Sequence, residues 1–456
     1  MKKTEPHLKM ILLINPRTSK SSEIQKEYFR EPNLGILYLA AILEANNIAV
    51  DILDLEQYID FTEKELKDLI EEKFRPYRIF GITSLTNTFH IALDIAKIIK
   101  QQDSNNYVIL GGPHVSFLYE EILKSDKSAS NLIDFICIGE AEKTFLDLVK
   151  ILISQISNNN TLEEFEAKLS KVQGIAYNNF NGKLSVRYQE YETEVENLPL
   201  PARYKLTHEY YYYTIANVIV NRGCPNQCSF CSRQKLFKRT KIRTIDSILS
   251  EIKDIISMQT YNYINFYDNI NINRNFFKDF CEMFISYNIE IPWGCELRVD
   301  TITDKEAHLL KIAGCQLVAT GIESASIEVL KRNLKYQNPE GVLNGLKHLK
   351  NNNIPIQAYF ILGLPGETID TFQKTVNFIK ELPFDENDKI NYFVATPYPG
   401  SRLWDDKLNF NINIIENDFT KYDCEHIIFE TKELNKLTLE KLHIRAKEIE
   451  QEFIKN

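Results

Sequence analysis

Three cysteines stand together in the loop Gly223-Cys224-Pro225-Asn226-Gln227-Cys228-Ser229-Phe230-Cys231 of a 456-residue chain. Thiolates this close can each ligate one iron of a four-iron four-sulfur (4Fe-4S) cluster and leave the fourth iron open to a substrate or cofactor. Clusters with four cysteine ligands mainly transfer electrons. Zinc is the competing reading. A closed zinc site usually takes a fourth Cys or His in a C-x-x-C pairing, and the stretch after Cys231 supplies none. The other cysteines (Cys137, Cys281, Cys295, Cys315 and Cys424) are scattered. Such cysteines behave as small buried hydrophobes, and a chain of this length is not a disulfide scaffold.

The loop must be held by something, and apolar runs alternating with helical patterns say what. Strands are expected at Met10–Ile14, Val50–Leu53, Ile79–Ile82, Val108–Leu110 and Phe135–Ile138, with helix-spaced apolar residues between them, as in Ile36, Leu39, Ala40 and Leu43. Continuous Val/Ile/Leu strands alternating with helices predict a doubly wound, Rossmann-like parallel sheet. Ligands of such sheets lie beyond the carboxyl ends of the strands. Those ends carry Asn15-Pro16, Ser84-Leu85-Thr86, Gly111-Gly112-Pro113-His114 and Gly139-Glu140. Residues 151–213 read as a hairpin turning at Asn181-Gly182, a proline-bearing linker and a tyrosine run, Tyr210 to Tyr213. From 214 the alternation resumes, with strands at Ile215–Val220, Tyr263–Tyr267, Trp293–Val299, Leu317–Thr320, Ile356–Leu362 and Ile390–Ala395. Six strand-helix units predict a partial TIM-like (β/α)6 barrel over 214–400, with the cysteine loop at its carboxyl-end face. A helical C-terminal tail, 401–456, follows.

The spacing C-x-x-x-C-x-x-C, with an aromatic before the last cysteine, resembles the signature of the radical S-adenosylmethionine (radical SAM) superfamily. That resemblance implies an enzyme in which the open iron chelates S-adenosylmethionine. Reductive cleavage then releases a deoxyadenosyl radical that abstracts hydrogen from an unactivated position. It further implies that Asp268 after the second barrel strand meets the methionyl part, and that Arg298 after the third pairs with its carboxylate. Glu323, after the fourth strand, would serve the ribose or amino group. In Gly363-Leu364-Pro365-Gly366, Gly363 and Pro365 would let backbone lie against adenine.

Pro32-Asn33-Leu34-Gly35, Gly111-Gly112-Pro113-His114 and Ile138-Gly139-Glu140-Ala141-Glu142 resemble the cobalamin-binding domain found before the barrel in one branch of that superfamily, here residues 1–150. The resemblance implies that Asn15, Ser84, Thr86, Gly111, Gly112, His114, Gly139 and Glu140 surround cobalamin. The D-x-H-x-x-G motif, whose histidine ligates cobalt in many cobalamin enzymes, is absent from the sequence, so the implied cobalamin has no histidine ligand from it. A domain that keeps the fold without the cofactor is the alternative. His114, by its own chemistry, reads as a residue packed in its turn.

A formal net charge of −9 excludes a nucleic-acid binder working through a broad basic face. The longest apolar run is too short to span a bilayer, and no signal-peptide pattern is read at the start, so a cytoplasmic protein is expected. Arg233, Lys235, Lys238, Arg239, Lys241 and Arg243 make a basic stretch beside the cysteines, suited to an acidic electron donor such as flavodoxin or ferredoxin. The combined expectation is methyl transfer to an unactivated carbon or phosphorus of a small-molecule or peptide substrate. A non-methylating cyclisation, oxidation or rearrangement is one alternative. An electron-transfer or regulatory protein that never cleaves S-adenosylmethionine is another. No general acid or base can be named from the sequence.

Overall fold

The computed structural model describes residues 10–17, 31–58, 62–158, 160–190, 193–206 and 213–454. They fall into two compact units, one of residues up to 212 with Leu236–Lys238, the other of Tyr213–Lys235 and residues from 239 onward. Of the tyrosine run, Tyr213 is buried; Tyr210 to Tyr212 lie outside the described residues.

In the first unit β1 (Ile11–Asn15), β2 (Val50–Asp54), β3 (Ile79–Thr83), β4 (Tyr107–Gly111) and β5 (Phe135–Cys137) form one sheet, in the order β2-β1-β3-β4-β5, all parallel. Parallel neighbours need crossover connections, and helices such as Leu34–Ala45, Phe89–Gln102 and Pro113–Lys124 supply them. Ile11, Leu13, Ile79 and Ile109 of the sheet share a core with Ile36, Ala40 and Leu43 of the first helix. This is the flavodoxin-like strand order, in which the chain changes winding direction between β1 and β3. Asn15 and Ser84 flank that point. The Asn181-Gly182 hairpin forms β6 (Ile175–Asn178) and β7 (Leu184–Arg187), which extend the same sheet antiparallel from β5.

The second unit is built on six parallel strands in sequential order: β8 (Ile215–Ile219), then, beyond the short pair β9 (Asn221–Arg222) and β10 (Lys241–Ile242), β11 (Tyr263–Asn269), β12 (Trp293–Glu296), β13 (Cys315–Glu323), β14 (Ile356–Leu362) and β15 (Lys389–Val394). Sequential parallel order is that of a TIM-type barrel, here of six units. Helices such as Ile245–Met258, capped by Thr244, and Arg274–Ser286 connect them. The outer faces of the strands pack on these helices: Phe266 meets Phe280, Phe284 and Trp293 edge-to-face, with centroids 4.9, 5.8 and 5.7 Å away. At the edge of the sheet, the Tyr392 N–H of β15 donates to the Glu450 carboxylate of the helix Lys436–Ile454. The tail holds more than helix, for β16 (Ile412–Ile414) and β17 (Phe429–Thr431) pair antiparallel. These strands are too short to show periodicity in the sequence. Among the described residues no helix is long and apolar enough to cross a membrane.

Candidate cluster and cofactor site

β9 pairs antiparallel with β10, which pinches the base of the segment carrying the cysteines. Gly223 enters it with φ +83, and a Cβ there would sit 2.4 Å from the Arg239 carbonyl oxygen, so only glycine fits. Phe230 packs toward the apolar cluster of Val329, Leu364, Ala395 and Phe429. The buried Ser229 is fixed at three points. Its N–H donates to the Asn333 carbonyl (2.9 Å), its hydroxyl to Asn333 Oδ1 (2.8 Å), and its carbonyl accepts from Leu403 N–H (2.9 Å).

Cys224, Cys228 and Cys231 line a cavity of about 260 Å³, together with Asn269, Glu296, Arg298, Thr320 and Glu323 from the carboxyl ends of the strands and Lys335 from the loop after the helix Ile327–Arg332. Among the described residues no three His, Cys, Asp or Glu side chains converge as ligands of a single ion. A 4Fe-4S cluster asks something else of its ligands, one thiolate per iron around a shared space, and that is what the cavity offers. Burial pushes the Cys228 thiol up to about 11, against the pull of the Lys335 ammonium. Loading metal must therefore displace a proton. Asn226 Nδ2 donates to Cys224 Sγ at 3.5 Å, a contact of the kind that tunes cluster sulfurs. The residues present fit a cluster.

Arg298 lies at the rim, its Nε and Nη2 forked onto Asp300 (3.1 and 2.8 Å), Nη1 on Asn226 Oδ1 (3.2 Å) and Nη2 on the Tyr336 carbonyl (2.6 Å). Asn271 clamps its backbone, accepting from Arg298 N–H and donating to its carbonyl. Glu323 ends β13 in the left-handed region, φ +64, and accepts from Lys335 Nζ at 2.9 Å. Lys335 also donates to the Gly321 carbonyl (3.0 Å). Burial pulls the Lys335 pKa down, but the Glu323 carboxylate holds it above the ordinary lysine value. Asp268 sits in β11 beside the cavity-lining Asn269.

Gly363 and Pro365 are not among the residues that line this cavity. Gly363 N–H donates to the buried Glu367 carboxyl (2.6 Å), which burial pushes up to about 8. The Pro365 carbonyl accepts from Asn333 Nδ2 (2.9 Å). Asn333 thus ties the cysteine loop to the loop after β14. Asn333→Ala strips partners from the Ser229 hydroxyl and the Pro365 carbonyl, both in buried surroundings. It is expected to cost about 3 kcal/mol and to lower iron retained per chain, measured by urea unfolding and iron assay.

The basic stretch is largely occupied within the fold. Arg243 is buried against Glu251 at 2.5 Å, Lys235 bonds Asp405 (2.7 Å), Arg233 the Asn221 carbonyl (3.2 Å), and Lys238 the Gln189 carbonyl (2.6 Å).

In the first unit the residues expected around cobalamin sit at the ends of β1, β3, β4 and β5. Asn15 donates to Asp54 Oδ1 (2.8 Å) and accepts from Asn33 Nδ2 (3.2 Å), while Asn33 caps the helix Leu34–Ala45. Ser84 and Thr86 are buried, and Ser84 N–H donates to the Gly111 carbonyl (2.8 Å). Gly112, φ +102, rides so close that a Cβ would lie 2.5 Å from the Ser84 carbonyl oxygen. Gly139 N–H donates to Ser116 Oγ (3.0 Å), and the Glu140 carbonyl accepts from Gln189 (3.0 Å). His114 is buried, its ring 4.4 Å from that of Phe89.

Burial pulls the His114 pKa from 6.5 to about 3. A depressed histidine leaves the unfolded chain binding more protons, so stability is full above 6.5 and falls with pH toward 3. At pH 5 the loss is about 2 kcal/mol. Urea midpoints between pH 7 and 5 should fall by one proton's worth less in His114→Gln.

Sequence reading missed Lys335, Asn333 and Asn226. Only Asn226 left a signal, lying between two cysteines; the other two are brought in by tertiary structure.

Residues 218–379 match the radical SAM superfamily domain and residues 25–149 the B12-binding domain. An uncharacterised methyltransferase of Pyrococcus horikoshii is 29% identical over 96% of this chain and 91% of its own. The anaerobic magnesium-protoporphyrin IX monomethyl ester cyclase of Rubrivivax gelatinosus is 29% identical over 91% of this chain and 72% of its own. Among solved structures, the radical S-adenosylmethionine methyltransferase TsrM of Kitasatospora setae, with cobalamin and a 4Fe-4S cluster bound, superposes with a TM-score of 0.71 at 15% identity, over 95% of this chain and 84% of that one. A cysteine-loop barrel whose sequence matches the radical SAM domain is a radical SAM enzyme. With a B12-binding domain ahead of it, the chain has the domain pair of the cobalamin-binding-domain-containing branch of that superfamily.

Proposed function

We propose that this chain is a methyltransferase that moves a methyl group from S-adenosylmethionine, by way of cobalamin, to an unactivated carbon or phosphorus of a small-molecule or peptide substrate. The observation that carries it is the three-cysteine cavity in a chain that also holds a B12-binding domain. The name of the Pyrococcus relative, which is aligned over nearly the whole chain, supports it. When bound, the cluster would supply the electron that cleaves S-adenosylmethionine to the deoxyadenosyl radical, and cobalamin would carry the methyl group. The protein's own work is placement. Cys224, Cys228 and Cys231 hold the cluster, and Asn226 bridges Cys224 and Arg298. Asp268 and Arg298 meet the methionyl part of S-adenosylmethionine and Glu323 its ribose or amino group, while backbone at Gly363 and Pro365 lies against its adenine. In residues 1–150, Asn15, Ser84, Thr86, Gly111, Gly112, Gly139 and Glu140 form the cobalamin rim, and His114 packs beneath it. The electron comes from a flavodoxin or ferredoxin.

The test is anaerobic reconstitution with iron, sulfide and hydroxocobalamin, followed by desalting. Cobalamin absorbance beside the broad iron–sulfur band is expected; a cluster without cobalamin would overturn methyl transfer by this route. A non-methylating reaction is the second reading, because the Rubrivivax relative of equal identity is named a cyclase. One S-adenosylhomocysteine per deoxyadenosine with substrate present marks methyl transfer; deoxyadenosine alone marks the other.

A further inference from the structure

Asn221 stands three residues before the first cysteine of the loop, just past β8, and is held through both its backbone and its side chain. It sits opposite Ile242 in the β9–β10 ladder, and its carbonyl accepts from Arg233 Nη2 at 3.2 Å. The chain entering it is braced by Arg243, whose Nη1 donates to the Ile219 carbonyl and whose backbone N–H donates to the Val220 carbonyl, both at 2.9 Å. Asn221 itself is 2% exposed. Its Nδ2 faces the Asn269 carbonyl at 3.4 Å. That contact fixes the sense of the amide, because an oxygen turned the same way would meet another acceptor. Oδ1 is left on the other side, buried and with no hydrogen-bond partner among the described residues. Asn221 is also one of the residues that line the cysteine cavity.

A buried acceptor without a donor costs free energy, so this oxygen asks for a ligand that donates. The neighbouring donors are turned elsewhere: Asn226 to Cys224, Arg298 to Asp300, Asn226 and the Tyr336 carbonyl, and Lys335 to Glu323 and the Gly321 carbonyl. A cluster cannot supply the donor, since its thiolates and sulfides only accept. In S-adenosylmethionine the carboxylate and the sulfonium carry no N–H or O–H, which leaves the amino group, the ribose hydroxyls and the adenine amine. Strand order chooses among these. β8 is a border strand of its sheet, in the order β15-β14-β13-β12-β11-β8. Adenine falls to backbone after β14 and the ribose to the end of β13, both further across that sheet. The β8 side, beside the cysteines, is left for the group that chelates the open iron.

We propose that Asn221 binds the α-amino group of S-adenosylmethionine through Oδ1, which leaves the ribose to Glu323. An amino group keeps N–H bonds to donate both as a free ammonium and when coordinated to iron, so the contact serves the arriving and the seated cofactor alike. This rests on the reading that S-adenosylmethionine sits at the cysteine cavity. It makes Asn221 a specificity residue, because a cofactor without the amino group leaves the buried oxygen bare.

The test is anaerobic equilibrium dialysis of radiolabelled ligand against the full chain with its cluster reconstituted and kept oxidised, so that binding is read without cleavage. The two ligands are S-adenosylmethionine and its analogue with hydrogen in place of the α-amino group. Asn221→Leu removes both donor and acceptor; Asn221→Asp keeps an acceptor in place and gives up the donor to Asn269. Asn221→Leu is expected to bind S-adenosylmethionine about tenfold more weakly, the equivalent of one hydrogen bond, and to bind the analogue unchanged. Asn221→Asp should keep most of the affinity, whereas a residue that only braces Asn269 through Nδ2 would fail alike in both variants. No loss in Asn221→Leu, an equal loss for both ligands, or an Asn221→Asp as weak as Asn221→Leu overturns the proposal. If Asn221→Leu takes up no cluster, Asn221→Asp decides: its preference for S-adenosylmethionine over the analogue should match or exceed that of the unaltered chain, and a smaller preference overturns the proposal. An unaltered chain that retains no S-adenosylmethionine would sink the placement of the cofactor itself, while retention indifferent to residue 221 sinks only the role of Asn221.

Discussion

Cys228→Ala is expected to abolish both the iron–sulfur absorbance and deoxyadenosine release, while the first unit keeps its fold. Cys228 is one of three thiols on the cavity, and two ligands cannot hold three irons of a cubane. No spare cysteine is placed to substitute, for Cys281, Cys295 and Cys315 are buried and do not line the cavity. The loop itself should survive, because Gly223, Ser229 and Phe230 anchor it through contacts that do not involve sulfur. Circular dichroism and urea unfolding would then show little change without iron. Full iron content and activity in this variant would refute the cluster assignment.

Lys335→Met should have the largest effect on stability. It leaves the Glu323 carboxylate, which is buried and bonded at 2.9 Å, without its counter-charge, and breaking one side of a buried pair costs about 3–5 kcal/mol. The Gly321 carbonyl loses its donor at the same time. Replacing both partners, as Lys335→Met with Glu323→Gln, should recover most of that loss, because the uncompensated charge is gone. A double-mutant cycle by urea unfolding measures the coupling. Additive effects would show that the pair does not act as a unit. The double variant should still bind iron, since neither side chain is a thiolate, but should bind S-adenosylmethionine more weakly.

How far the sequence revealed all this depends on the physics of each part. Strands buried on both faces are continuous apolar runs, so Ile79–Ile82 and Ile356–Leu362 were legible to within a residue of β3 and β14. β13 runs further than expected in both directions. Its upper end, Gly321 to Glu323, is held by Lys335 and a left-handed backbone, neither of which leaves a hydrophobic pattern. The strand expected to reach Val299 stops at Glu296, because Asn271 takes the Arg298 backbone and turns the chain into a 3-10 segment, Val299–Thr301. The cysteine loop was legible because thiols at fixed spacing have few other uses. Asn333 was not, since a buried asparagine that bridges two loops resembles any helix cap until the fold brings Ser229 and Pro365 to it.

The bond from Tyr392 to Glu450 bears on how the second unit survives its own synthesis. β15 is the border strand of its sheet, and a border strand with open amides is a template for pairing with other chains. Glu450 covers one such amide with a carboxylate, and the rest of its helix lies along the strand. That helix is made well after β15, so the border stays uncovered while the intervening residues are translated, and the sheet is sealed against its neighbours only when the helix docks.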